Sequence, residues 1–263
     1  MKTTRRTLAG LVVASLLAVG TSGCIRVWSW DGIEEADAPM RQALLDATKV
    51  LDQGNFAFTI TDGSQNSAGV VDLASNSAAV KTLFDVDGGS GTLDLITVDE
   101  NLWVRIDYGD ELNKAAGIDA WSDKYLLVDQ TRVPDLLDPP RDSDDPDPAS
   151  AAALFQTAAR MSEIGSGDYR GYVNLRKVTD SMLVDEEIRE ALGGATTSIP
   201  FRARIDEEGR LVELTISTPA AGEFEARSTK IVYNQFGSAI PPRRPTAAQS
   251  MPAPETAYEL LTD

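Results

Sequence analysis

The stretch TLDLITVDENLWVRI at residues 92–106 decides the fold. Apolar residues recur at every second position on both sides of Asp99-Glu100-Asn101, a run with turn chemistry. A connection this short joins antiparallel strands, because a parallel pair needs a crossover of roughly a dozen residues or more. The stretch therefore predicts a β-hairpin with one apolar face.

The same alternation extends outward from this hairpin in both directions. It covers most of residues 56–108 and returns at 121–128, 170–178, 199–205, 211–218 and 223–233. Helical spacing replaces it in three places, at 39–54, 149–161 and 183–192. The chain is therefore predicted to be α+β, with an antiparallel meander of about eight to ten strands that forms a strongly curved sheet with helices on one face.

The N-terminus has the pattern of an export signal. Positive residues precede an uncharged apolar run at 8–20, and small residues fill 21–23 before Cys24. The run is too short to span a bilayer, which takes about 20 residues. Residues 1–23 are therefore predicted to be a signal peptide, for which Arg5-Arg6 leaves both Sec and twin-arginine export open.

Gly23-Cys24 resembles a bacterial lipobox, which implies a lipid-modified Cys24 as the first residue of the mature chain. Thr21 departs from the pattern, since an aliphatic residue is usual there. The alternative is a plain secretory signal with an incidental cysteine. Residues 24–38 show no clear periodicity and are predicted to be a tether, of which residues 25–38 would reach at most about 46 Å. A helix is predicted to open at Pro39.

Composition excludes several kinds of mechanism. The chain has no His and one Cys, so a Ser-His-Asp triad, a His-ligated metal and an internal disulfide are excluded. Its net charge is −17, or 21 − 41 = −20 without residues 1–23, which argues against a nucleic-acid partner. The same charge is expected to repel the body from anionic lipid headgroups.

No local motif predicts a catalytic or metal site, and no cofactor is expected. The acidic run Asp142, Asp144, Asp145 and Asp147 lacks the glycine and the final glutamate of a calcium loop, so a solvated loop is predicted. The glycines at 88–91 precede a strand, which favours a hairpin turn over a phosphate cradle. The proline-rich segment 241–263 is predicted to be a disordered tail. Its apolar patch at Tyr258, Leu260 and Leu261 could dock back on the domain, with a loose patch as the default prediction.

Five segments, within a match of approximately residues 39–240, resemble the LppX/LprG (LppX_LprAFG) lipoprotein family, whose fold is similar to that of the LolA/LolB lipoprotein carriers. They are Ala43 to Leu51 leading into Phe56-Ala57-Phe58; Asp99 to Val104; Trp121 before Tyr125 to Asp129; Ile199 to Leu211; and Tyr233 to Gly237. The resemblance implies a lipid-binding domain at residues 39–240, built as a half-barrel of antiparallel strands with helices packed in its concave face.

The resemblance also implies a function without catalysis. A monomeric lipoprotein on the extracytoplasmic face of the cell membrane would bind a lipid or lipoglycan in an apolar cavity and pass it on, with an envelope transporter as one kind of partner. The alternating strands predict the cavity wall, although the same residues could equally form a packed core. The wall would consist of Phe58, Ile60, Leu93, Leu95, Val104, Ile106, Phe201, Ile205, Leu214 and Ile216. The alternative function is an envelope scaffold or sensor that binds a protein partner.

Overall fold

A computed structural model describes residues 30–63, 65–86, 89–133, 146–178, 182–184 and 186–262. Five α-helices lie in these ranges: α1 Trp30–Thr48, α2 Asp110–Ala115, α3 Ala151–Gln156, α4 Glu186–Leu192 and α5 Glu255–Thr262. The strands are β1 Asn55–Thr61, β2 Gln65–Asp72, β3 Ser77–Val86, β4 Gly89–Val98, β5 Asn101–Asp107, β6 Tyr125–Val128, β7 Ala159–Gly165, β8 Asp168–Val173, β9 Ile199–Ile205, β10 Leu211–Thr218, β11 Arg227–Asn234 and β12 Ser250–Pro252.

All twelve strands belong to one open sheet in the order β12-β6-β5-β4-β3-β2-β1-β11-β10-β9-β8-β7. Every neighbouring pair is antiparallel except β12 with β6. The hairpin predicted at residues 92–106 is confirmed as β4 and β5, with Val98 opposite Asn101. The chain is α+β as predicted, with more strands than the eight to ten expected.

One face of the sheet, called here the helix face, carries two hydrophobic clusters. The larger cluster joins β1–β3 and β7–β11 to side chains of α1, α3 and α4. The smaller cluster joins β4–β6 to α5 and to the loop residues Ile118, Trp121 and Val133. Apolar side chains at alternate strand positions are thereby removed from water, which is the main stabilising contribution to this fold.

Helix α1 begins at Trp30, so the prediction that it opens at Pro39 was wrong and residues 30–38 are not an irregular tether. The physical reason is a long-range contact. The buried Asp37 carboxylate accepts hydrogen bonds from the backbone N–H groups of Arg160 (2.6 Å) and Met161 (3.0 Å). These bonds fix the turn of helix before Pro39, a residue that otherwise favours the first turn.

The helix predicted at 149–161 is about half as long as expected: α3 ends at Gln156, and strand β7 begins at Ala159. Arg41 of α1 donates from Nε (3.2 Å) and Nη2 (2.8 Å) to the carbonyl oxygen of Ala158. Together with Asp37 it binds the main chain at the start of β7, where Arg160 has a positive φ of 53° and the register with β8 shifts. These contacts hold residues 158–161 against α1 in a conformation that cannot continue a helix.

Asp147 is buried, so the prediction of a solvated acidic loop was wrong at this position. Its carboxylate accepts hydrogen bonds from the N–H groups of Ala149 (3.0 Å) and Ala151 (2.8 Å), which caps the start of α3, and from the hydroxyl of Tyr233. Asp142, Asp144 and Asp145 lie outside the described residues.

The prediction of a disordered tail was also wrong. From Asn234 the chain runs past the ends of the strands, and Arg244 contacts Asp99 in the β4–β5 turn. Strand β12 then pairs with β6, and α5 buries Ala257 and Tyr258 in the smaller cluster. The Tyr258 hydroxyl accepts a hydrogen bond from the N–H of Asp129 (3.0 Å).

Candidate functional site

A groove with a volume of about 600 Å³ crosses the face of the sheet opposite the helices, called here the groove face. It is lined mainly by two adjacent cross-strand rows of side chains. The first row is Ala57, Val70, Ala79 and Ile96, and the second is Thr59, Ala68, Lys81, Asp94 and Arg105. Tyr125 closes one end and Asn234 with Gln235 the other. The volume lies within the roughly 300–1,000 Å³ typical of ligand pockets.

Small side chains make the depression. Ala57, Ala68 and Ala79 come together on three neighbouring strands, so the main chain lies close to the surface there. Gly69 lies between the two rows, and the Phe58 ring covers it from the helix face. A Cβ atom at Gly69 would lie 2.4 Å from that ring and 2.7 Å from the carbonyl oxygen of Ala79. The glycine therefore permits this close packing.

Gly69→Ala is expected to lower the free energy of unfolding by about 2 kcal/mol, because the added methyl group requires both an aromatic ring and main chain to move. Gly194→Ala is the matched control, since a Cβ atom there meets no atom within 4 Å. Urea unfolding of both variants checks the prediction. Equal midpoints for the two would show that the ring does not lie against Gly69.

Three charged groups and a tyrosine form the polar wall of the groove. Asp94 is buried and lies opposite both Lys81 on β3 and Arg105 on β5. Arg105 donates from Nε (2.9 Å) and from Nη2 to Asp94 Oδ2, and Lys81 Nζ lies 3.5 Å from Asp94 Oδ1. The guanidinium also stacks 4.7 Å from the centre of the Tyr125 ring. These contacts fix the position of Arg105, whereas the Lys81 side chain is half exposed and, within the described residues, has only its ion pair with Asp94.

The pKa values of two residues in this wall, Arg105 and Tyr125, are raised. Burial opposes the ionised guanidinium, but the hydrogen bonds and charge of Asp94 outweigh it, so the pKa of Arg105 is raised. The pKa of Tyr125 is raised mainly by burial and further by Asp94, so its hydroxyl stays protonated at neutral pH. The charged lining residues are two cations and one anion, which gives the groove a charge of +1 in a chain of −17.

The ten predicted wall residues all lie on the helix face. Phe58, Ile60, Phe201, Ile205, Leu214 and Ile216 belong to or pack against the larger cluster, and Leu93, Leu95, Val104 and Ile106 belong to or pack against the smaller one. Phe58 and Leu95 also border the groove; because side chains alternate between the faces of a strand, these two contribute main-chain atoms to its floor.

A second depression of about 440 Å³ lies beside α4. Its arginines are engaged by the fold: Arg176 donates to Thr196 Oγ1 (3.0 Å), and Arg189 donates to the carbonyl oxygen of Val178 (2.6 Å). Glu186 and Glu190 balance the two positive charges. This depression is therefore a weaker ligand candidate than the groove.

Cys24 lies outside the described residues. Within the described ranges, no three His, Cys, Asp or Glu side chains are grouped closely enough to hold a metal ion. No helix in the described part of the chain is long and apolar enough to cross a membrane.

The sequence interpretation missed Lys81, Asp94 and Arg105 as a group. The available signal was their register, because these charges occupy facing positions on three consecutive hairpin strands. No protein-family model matches the chain, and no curated protein matches its sequence. The resemblance to the LppX/LprG lipoproteins therefore stays a prediction from the segments quoted above.

Proposed function

We propose that this chain is a lipoprotein, acylated at Cys24 on the extracytoplasmic face of the cell membrane, that binds the acyl part of a lipid or lipoglycan and carries or presents it. The groove is the observation that supports this proposal most directly. Its floor is made mainly of small apolar side chains, and its wall has a net positive charge. An acyl chain with an anionic headgroup matches both features.

The energetics favour a long-chain ligand. Each methylene removed from water contributes up to about 0.8 kcal/mol, so an acyl chain on the apolar floor binds without polar recognition. A phosphate or carboxylate beside Lys81 and Arg105 adds charge-assisted hydrogen bonds. In this proposal the groove holds one acyl chain, and the cations fix the position of its headgroup.

The finer fold belongs to the same proposal. The twelve-stranded sheet is taken to be a curved half-barrel of the LolA/LolB type, with the helices in its concave face. Support comes from the placement of α1, α3, α4 and α5, which bury their apolar side chains on one face of the sheet. In the LolA/LolB arrangement the predicted wall of ten residues would be the alternative seat of the acyl chain.

Native mass spectrometry of the lipid-free chain 25–263, incubated with envelope lipids and re-purified, tests the proposal. We expect adducts with the masses of acyl lipids. Ala79→Trp fills the groove and is expected to reduce adduct occupancy at least roughly tenfold. Ala226→Trp, at an exposed loop position away from the groove, is the matched control and should bind as the parent does.

The outcomes separate the competing proposals. If Ala79→Trp formed as many lipid adducts as the parent chain, the ligand would be inferred to bind at the ten-residue wall on the helix face. Absence of any adduct in the parent chain would contradict lipid carriage. Capture of one stoichiometric envelope protein by the lipid-free chain would then support the scaffold or sensor function.

A further inference from the structure

A row of exposed cations crosses the groove face near the β7 edge of the sheet. Arg170 on β8 lies opposite Arg202 on β9, Arg202 lies opposite Thr215 on β10, and Thr215 lies opposite Lys230 on β11. Arg170, Arg202 and Lys230, called here the basic row, are all exposed. Directly facing residues are about 5 Å apart, so three positive charges lie within four strands.

The fold itself does not neutralise this row. In the part of the chain that the structure describes, no carboxylate oxygen lies within 4.0 Å of a side-chain nitrogen of Arg170, Arg202 or Lys230. The adjacent row differs, since Arg204 there lies 3.6 Å from Glu213. Like charges facing each other across two strands are destabilising. The facing pair Arg170 and Arg202 therefore lowers the stability of the fold, and an external anion would relieve the repulsion.

The start of α1 lies near the same edge strand, β7, although α1 packs on the helix face of the sheet and the basic row lies on the groove face. Arg41 contacts Ala158 and Asp37 contacts Arg160 and Met161, so α1 runs antiparallel to β7. Trp30, seven residues before Asp37, is about 10 Å further along the helix axis, towards the β7–β8 turn. Arg170 follows that turn closely in the sequence. The six residues from Cys24 to Trp30 span at most about 20 Å.

We infer that the basic row docks on the anionic headgroups of the membrane to which the chain is anchored. The inference rests on the proposed acylation of Cys24, which places lipid near the start of α1. Charge complementarity supports this occupant: a chain whose net charge is −20 without residues 1–23 presents a cationic row, without carboxylate partners among the described residues, at the end of the sheet where α1 begins. The net charge is expected to repel the body from anionic headgroups, but the basic row would attract them at this end of the sheet.

Docking would also orient the groove. The basic row and the groove share one face of the sheet, and Lys230 faces Thr61, close to Thr59 in the groove lining. A body that rests on the basic row turns this face towards the bilayer. Lipid would then reach Lys81 and Arg105 over a short path along the headgroup region.

The first test anchors the chain chemically. Chain 24–263 is coupled through Cys24, its one cysteine, to a maleimide lipid in vesicles of phosphatidylcholine alone or with phosphatidylglycerol. Phenylglyoxal then modifies accessible arginines, which peptide mass spectrometry quantifies. We expect Arg170 and Arg202 to react about fivefold more slowly on the anionic vesicles, and exposed Arg243 to react equally on both. Equal rates at Arg170 on the two vesicles would overturn the inference.

The second test uses matched charge variants of the lipid-free chain 25–263 in vesicle flotation. Arg170→Gln/Arg202→Gln/Lys230→Gln is expected to weaken binding to anionic vesicles on the order of a hundredfold. Lys49→Gln/Lys114→Gln/Arg243→Gln removes equal charge from exposed positions elsewhere and should bind as the parent does. No parental preference for anionic vesicles, or equal loss in both variants, would contradict the docking.

Neither test requires natural acylation or a bound ligand. Failure of the docking tests would leave lipid carriage intact, because carriage is judged by adducts in native mass spectrometry. Loss of adducts in that experiment would leave the vesicle measurements unaffected. The two proposals can therefore fail separately.

Discussion

Asp147→Ala is expected to lower the free energy of unfolding by about 4 kcal/mol, because it removes the acceptor of several buried hydrogen bonds at once. The N–H groups of Ala149 and Ala151 and the hydroxyl of Tyr233 lose their partner in a region without solvent access. Urea unfolding followed by circular dichroism measures the change. A solvated loop at this position would predict almost no change.

Two variants sharpen this measurement. Tyr233→Phe removes only the hydroxyl donor and is expected to cost about 1 to 2 kcal/mol, with the rest of the loss assigned to the cap of α3. Glu207→Ala, at an exposed turn position, controls for loss of a carboxylate and should change stability by less than about 0.5 kcal/mol. If Asp147→Ala behaved like Glu207→Ala, the buried position of Asp147 would be wrong.

Truncation after Gln249 is expected to cost about 4 kcal/mol or more, since it removes β12 and α5 together. The smaller cluster would lose Ala257 and Tyr258 and would expose Trp121 and Val128. Arg132 would lose both its ion pair with Glu255 (2.5 Å) and its stacking on the Tyr258 ring (3.6 Å). Thermal and urea unfolding of the shortened chain measure the loss.

Point variants separate packing from chain length. Tyr258→Ala should reproduce about 3 kcal/mol of the loss, because a buried aromatic side chain is removed. Tyr172→Ala, whose side chain is 38% exposed on β8, should cost about 1 kcal/mol or less. If truncation left the unfolding midpoint unchanged, the prediction of a disordered tail from composition would be correct.

The elements that the sequence predicted correctly depend on local signals. Strands β9 and β10 begin and end at the predicted residues, because alternating apolar residues flank a turn in which Gly209 adopts a positive φ of 79°, with one irregularity between Leu211 and Glu213. The errors depend on distant partners instead. The start of α1 was wrongly placed at Pro39, and Ala158 was wrongly placed in a helix. Both errors arise because Asp37 and Arg41 contact Arg160 and Ala158, more than a hundred positions away in the chain.

In the candidate site, too, local signals were predicted correctly and features that depend on distant residues were not. Period-two alternation placed all ten wall residues on one face of the sheet, because alternation alone decides the face. The groove could not be predicted in this way. It depends on the register that places Ala57, Ala68 and Ala79 at diagonal positions of three neighbouring strands, and on which strands are neighbours. The C-terminal segment was wrongly predicted to be disordered, because its composition is proline-rich and it has only the few apolar residues that α5 buries.

The single parallel contact of the sheet, between β12 and β6, has a consequence for the order of folding. Tyr125 and Ser250 face each other there, although 125 positions separate them in the chain. Contacts this distant form late, because the intervening chain must first be ordered. The smaller cluster is therefore completed only after the last residues of the chain have been synthesised, and a chain that lacks them would leave Trp121 and Leu126 without their partners Ala257 and Tyr258.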